Sequence, residues 1–220
     1  MNNIKQLIIN RYKIISILIT TTGFSIVLLV IRMKLTHSFF YLFLVWNLFL
    51  AVIPFTITSY LSSLPKLNKV KLAIWFCVWL LFLPNAPYII TDLLHIKISR
   101  TSFLWLDILV VTSFALNGML LFYLSVLEMK KILQPIIKKS ALNLWQATLL
   151  FLMGFGVYLG RFLRYNSWEI LSNPKYLFND IISIALKPLA NKEAWLFTLL
   201  FGTFLWVGFW VFKMLSTKGN

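Results

Sequence analysis

Six times along this chain, apolar residues run on for 18 or more positions with almost no charge among them: Ile14–Ile31, Phe39–Leu61, Leu72–Thr91, Phe103–Leu127, Leu142–Leu163 and Trp195–Phe212. Period-two alternation is missing, so these runs do not read as half-buried strands. At 1.5 Å per residue each would extend about 27–37 Å as a helix, against a hydrocarbon core of about 30 Å. The pattern predicts an all-α protein, a polytopic bundle of about six transmembrane helices forming one domain over residues 1–220. No soluble domain, repeat or low-complexity linker interrupts it.

Between the fifth and sixth runs lies the longest stretch that does not cross. Asn173 before Pro174 reads as an N-cap followed by proline at the first helical position. Leu177, Phe178, Ile181, Ile182 and Ala185 then form an apolar stripe, with Asp180, Ser183 and Lys187 on another face, until Pro188 ends the pattern. The segment is too short to span. It predicts an amphipathic helix, either lying in the membrane interface or packed on the bundle.

Composition agrees with the pattern. Of 220 residues 60% are apolar and 12% charged, where a soluble domain carries about 25% charged residues. Trp105, Trp145, Trp168 and Trp195 fall near the ends of the runs, as aromatic belts do. The net charge of +15 is spread over the connections, at Lys66, Lys69 and Lys71 and at Lys130, Lys131, Lys138 and Lys139. It therefore reads as topology charge and contact with anionic headgroups rather than as a nucleic-acid surface. The first run follows Lys5, Arg11 and Lys13, ends in Arg32 and Lys34, and has no small-residue cleavage site, so it reads as a retained span. With the N-terminus inside, cytoplasmic segments hold twelve Lys and Arg and outer segments nine. This favours both termini in the cytoplasm. Cys77, the only cysteine, excludes intrachain disulfides and reads as a small buried hydrophobe.

Candidate chemistry sits at two places. The third run ends Leu83-Pro84-Asn85-Ala86-Pro87-Tyr88, then Thr91-Asp92-Leu93-Leu94-His95. Two prolines remove two backbone donors and clash with the preceding turn, which predicts a broken helix in the outer half of the bilayer. Asn85 is placed to cap the freed carbonyls or line a cavity. Asp92 and His95, at i and i+3, share a helical face, suiting a hydrogen-bonded pair or two metal ligands. Asp107 opens the fourth run. These three are few for a metal site, and the sequence names no cofactor and no catalytic residue.

The fifth run ends in the second place, Gly154-Phe155-Gly156 through Gly160-Arg161-Phe162-Leu163-Arg164-Tyr165-Asn166-Ser167-Trp168-Glu169. Gly156 and Gly160 have the spacing that lets helices approach closely. Arg161 and Arg164 on one face would make a fork for a carboxylate or phosphate, or would snorkel and pair with Asp92 or Asp107. Strict alternation of spans carries both clusters to the extracytoplasmic face. That predicts a polar pocket of Asn85, Asp92, His95, Asp107, Arg161, Arg164, Asn166 and Glu169, suited to an anionic or lipid-linked substrate. Asn47 and Asn117, inside the second and fourth runs, read as interhelical hydrogen-bond glue.

At these two segments the chain resembles the bacterial membrane proteins grouped as domain of unknown function 1361. The resemblance rests on Leu83–Tyr88 with Thr91, Asp92 and His95, and on Gly160-Arg161-Phe162 with Arg164, Asn166-Ser167-Trp168 and Glu169. It implies a multi-pass inner-membrane protein and supplies no activity, substrate or cofactor. No P-loop, dinucleotide fingerprint, HExxH or GxSxG motif is present. Three functions stay open: a binding or enzymatic site at the outer face, a small transporter, or an assembly subunit of a membrane complex.

Overall fold

The computed structural model describes residues 11–64, 68–98, 103–172 and 174–217, and every regular element among them is helical. In order these are α1 (Tyr12–Thr36), a 3-10 turn (Phe40–Leu42), α2 (Phe43–Ser63), α3 (Lys69–Phe82), α4 (Asn85–Tyr88), a 3-10 segment (Ile89–Ile98), α5 (Leu104–Leu133), α6 (Lys139–Arg161), α7 (Glu169–Ser172), α8 (Pro174–Leu186) and α9 (Lys192–Thr217). Among the described residues six stretches are long and apolar enough to cross a bilayer. They are Tyr12–Thr36, Phe40–Ser63, Lys69–Lys97, Leu104–Leu133, Lys139–Arg161 and Lys192–Ser216, one for each predicted run. Backbone contacts divide the chain into two compact units, residues 1–132 and 133–220.

In the first unit, polar side chains lock α1 against α5. Near one end Arg11 pairs with Glu128, and Arg11 also donates to Ser59 at 2.8 Å. Midway, Thr21 donates to Asn117 Oδ1 at 2.6 Å, and Asn117 Nδ2 donates to Ser25 at 3.0 Å. Near the other end Arg32 Nε donates to Asp107 Oδ1 at 2.8 Å. As α1 advances from Arg11 to Arg32 its partners run back from Glu128 to Asp107, so the two helices are antiparallel. The two ion pairs stand roughly 21 residues apart on either helix, about 31 Å, which is close to the hydrocarbon thickness. Asn117 is thus the interhelical glue its position suggested. Asn47 likewise bonds across helices, from α2 to Asp92 of the 3-10 segment.

The proline pair interrupts the third span at Leu83 and Pro84, between α3 and α4, while the backbone stays right-handed. Leu83, Pro84 and Ile89 all keep right-handed helical dihedrals. Pro87 has no N–H to give Leu83, so the Ala86 N–H takes the Leu83 carbonyl at 3.2 Å. That shift strips the Phe82 carbonyl of its usual partner, and Asn85 Nδ2 caps it at 2.9 Å. From Ile89 the chain continues as a 3-10 helix. The expected break is therefore a change of hydrogen-bond pattern. Gly118 of α5 lies against it: a Cβ there would meet the Ala86 carbonyl oxygen at 2.5 Å. Cys77, expected to be buried, is exposed on α3.

In the second unit α6 packs on α9 where Gly154 meets Gly202. A Cβ on Gly154 would come within 2.9 Å of the Thr198 carbonyl, and one on Gly202 within 3.0 Å of Phe151 Cα. Gly154, two residues before the Gly156/Gly160 spacing, makes a close approach to α9. The short helix α8 rests on this pair through Ile184, which packs with Tyr158 and Ala194. Trp195 Nε1 donates to the Ile184 carbonyl at 3.1 Å. The buried side of α8 is Leu177 and Ile184, whereas Phe178 and Ile182 of the predicted stripe are exposed. Asp180, expected on the polar face, turns inward to accept from Tyr165. Asn173, the predicted N-cap, lies outside the described residues.

Candidate polar site

The 3-10 winding brings Asp92 and His95 together, because at three residues per turn positions i and i+3 eclipse. Asp92 is fully buried and accepts from Asn47 Nδ2 at 2.9 Å. His95 Nδ1 stands 3.7 Å from Asp92 Oδ1, an electrostatic contact just beyond hydrogen-bond length. That nitrogen is buried, while the side chain as a whole is 28% exposed. The imidazole therefore points one nitrogen at the carboxylate and shows its other side outward. Phe43 and Phe40 hold the ring, with centroids at 5.0 and 6.3 Å. Thr91, one residue before Asp92, donates to the Tyr88 carbonyl at 2.6 Å, fixing the turn that sets the dyad.

Asp107, the second acid of this end, is taken by Arg32, and both side chains are at most 1% exposed. Arg32 also donates to the Ser38 carbonyl at 2.9 Å and lies 4.7 Å above the buried Tyr41 ring. The chain leaves α1 by a left-handed residue, His37 at φ 49°, which turns Ser38 and Tyr41 back over the guanidinium. Tyr41 in turn meets Phe43 at 6.1 Å, and Phe43 meets His95. Asp107, Arg32, Tyr41, His95, Asp92 and Asn47 thus form one continuous polar and aromatic cluster at one end of the first unit.

In the second unit α6 ends at Arg161, and Arg164 sits three residues beyond in the left-handed region, φ 61°. The expectation that both arginines share a helical face does not hold, because the helix has closed: the Tyr165 N–H bonds back to the Leu159 carbonyl at 3.1 Å. Arg164 is exposed. Asn166 Nδ2 donates to Glu169 Oε1 at 2.9 Å across the start of α7. Tyr165 donates to Asp180 at 2.7 Å. That hydrogen bond first, then partial burial and the charges of Asp180 and Glu169, push the phenol up to about 12.

Of the eight residues singled out in the sequence, Asn85, Asp92, His95 and Asp107 thus lie within the first unit. Asn85 serves the backbone, and the other three join the cluster. Arg161, Arg164, Asn166 and Glu169 belong to the second unit. Arg32, Tyr41 and Asn47 are the members that sequence reasoning missed. Their signal was present in Arg32, a charge following an apolar run in register with the acid that opens another. Among the described residues no group of three His, Cys, Asp or Glu could hold a metal ion, since Asp107 faces Arg32 and leaves Asp92 and His95 as a pair.

Six apolar crossings with polar groups turned inward define an integral, multi-pass helical membrane protein. Its sequence matches the family described as "Protein of unknown function (DUF1361)" over residues 46–207, and the chain belongs to that family. The matched region holds Asn47, Asp92, His95 and Asp107 and omits Arg32. Comparison with curated proteins and with solved structures gave no match in either case.

Proposed function

We propose that this protein binds or processes a substrate carrying an anionic or lipid-linked group at a polar site sunk into the extracytoplasmic face of the membrane, with His95 engaging it and Asp92 positioning His95. The observation that carries the reading is the inward Nδ1 of His95 beside the buried Asp92 carboxylate. A carboxylate that holds one ring nitrogen leaves the other free to donate to an anion or to move a proton on a bound group. A burial of this kind is costly in a membrane, where ionisable side chains are rare and mark working sites. The Arg32–Asp107 pair supplies the wall of the site rather than its anion receptor, since both charges are already spent on each other.

The test compares lipid and metabolite profiles of a deletion strain with its parent. The deletion is then complemented with the wild type, His95→Gln or Asp92→Asn. We expect a class of lipid or lipid-linked metabolite to change on deletion and to be restored by the wild type only, with all three proteins at equal abundance in the membrane. Restoration by His95→Gln at normal abundance would sink the reading.

A further inference from the structure

Between α2 and α3 the first unit carries an open groove of about 580 Å³ whose lining includes Phe49, Val52, Ile53, Thr56, Tyr60 and Trp75. The Thr56 hydroxyl is spent on its own helix, donating to the Val52 carbonyl at 3.0 Å, so the floor presents hydrocarbon alone. From Tyr60 to Phe49 the groove follows about 11 residues of α2, roughly 16 Å, which is half the hydrocarbon core, or one leaflet. One end is marked by Tyr60 and Trp75, whose rings meet edge-on at 5.7 Å, three residues before α2 ends. Aromatic side chains with a polar tip belong at the headgroup level. Lys71 precedes Trp75 by four residues, so it lies on the same face of α3 one turn nearer the membrane surface. It is exposed, and among the described residues no acid pairs with it.

We propose that this groove holds one acyl chain of an anionic phospholipid, from the leaflet on the side of the connection between α2 and α3, with its phosphate against Lys71. The depth of the groove fits a chain of that leaflet. Its dry floor rejects polar ligands, and the uncompensated lysine at its mouth selects an anionic head over a zwitterionic one. The mouth of the groove, at Tyr60 and Trp75, lies at the opposite end of α2 from Asn47, and the proposal stands or falls independently of the function proposed above.

The full-length protein in detergent is titrated with phosphatidylglycerol and, separately, with phosphatidylcholine of the same acyl chains, and the adducts are counted by native mass spectrometry. One phosphatidylglycerol should bind with about five-fold preference, the effect of about one lysine at an anionic surface. Lys71→Gln should remove the preference while leaving the weaker, common binding. Lys69→Gln, an equal loss of charge on another face of α3, should keep it. Val52→Trp, which fills the groove from an exposed position, should weaken both lipids together. Equal binding of the two lipids by the wild type would overturn the proposal. So would an unchanged preference in Lys71→Gln, a loss as large in Lys69→Gln, or a lipid-free dimer that Val52→Trp dissociates.

Discussion

A buried guanidinium and a buried carboxylate are each expensive in a membrane, and Arg32 and Asp107 are tolerable only as partners. Removing one member of such a pair costs about 3–5 kcal/mol, whereas replacing both by apolar residues can be neutral or better. Asp107→Leu should therefore lower the thermal midpoint in detergent sharply, and Arg32→Leu/Asp107→Leu should recover most of the loss. A double variant no more stable than the worse single one would show that the pair does more than cancel charge. Arg164 poses the opposite case. Its left-handed backbone favours glycine, so Arg164→Gly should hold or slightly raise stability. If the guanidinium works on a substrate, the same variant should lose the deletion-rescue activity; unchanged rescue would reduce Arg164 to a strained helix exit. The sequence showed these charges but not their directions. A cation after an apolar run can snorkel outward or turn inward, and only the fold back at His37 and Tyr41 decides for Arg32.

At the scale of the element, the third span was the most legible. The two prolines announced a disturbed helix, and Asn85 was rightly suspected of capping a carbonyl. What the prolines alone do not reveal is that one 3-10 hydrogen bond from Ala86 and one side-chain cap repair the damage, leaving the chain helical. The repaired turn is pressed against α5 so closely that Gly118 has no room for a methyl. Gly118→Ala should destabilise by about 1–3 kcal/mol, the cost of overpacking a close contact. Gly23→Ala on α1, where a Cβ would touch nothing within 4 Å, should be neutral or stabilising by up to about 1 kcal/mol of helix propensity. Equal shifts in the two melting curves would contradict the packing argument. The short helix α8 was legible as a helix but not in its facing. A hydrophobic stripe does not reveal that Tyr165 will draw Asp180 inward, because that acceptor is needed only once the end of α6 has turned.

For the whole molecule, the question is how many times the chain crosses and which ends share a compartment. The apolar runs alone leave one ambiguity, since the third run, with its prolines, could enter and leave on one side. The pairing of α1 with α5 removes it. Arg11 with Glu128 at one end and Arg32 with Asp107 at the other make the first and fourth runs antiparallel, which requires an even number of crossings between them, and both intervening stretches are long enough to cross. The two ion pairs, about 31 Å apart, would then sit one at each boundary of the hydrocarbon, where charge is cheapest. Extending strict alternation through the last two runs predicts six crossings, and the margin of twelve Lys and Arg over nine predicts both ends of the sequence in the cytoplasm. Arg11 and Arg32, being paired, drop one charge from each side and leave the margin unchanged. Reporter fusions after Lys69, Lys138 and Lys218 should read cytoplasmic, and fusions after Thr36, Arg100 and Asn191 external. A uniform reversal would invert the orientation and keep the six crossings. Fusions after Thr36 and Lys69 reading the same side would mean that the second run does not cross, which the antiparallel α1 and α5 forbid unless the third also fails, so one such result followed by normal alternation would overturn the register of the first unit itself.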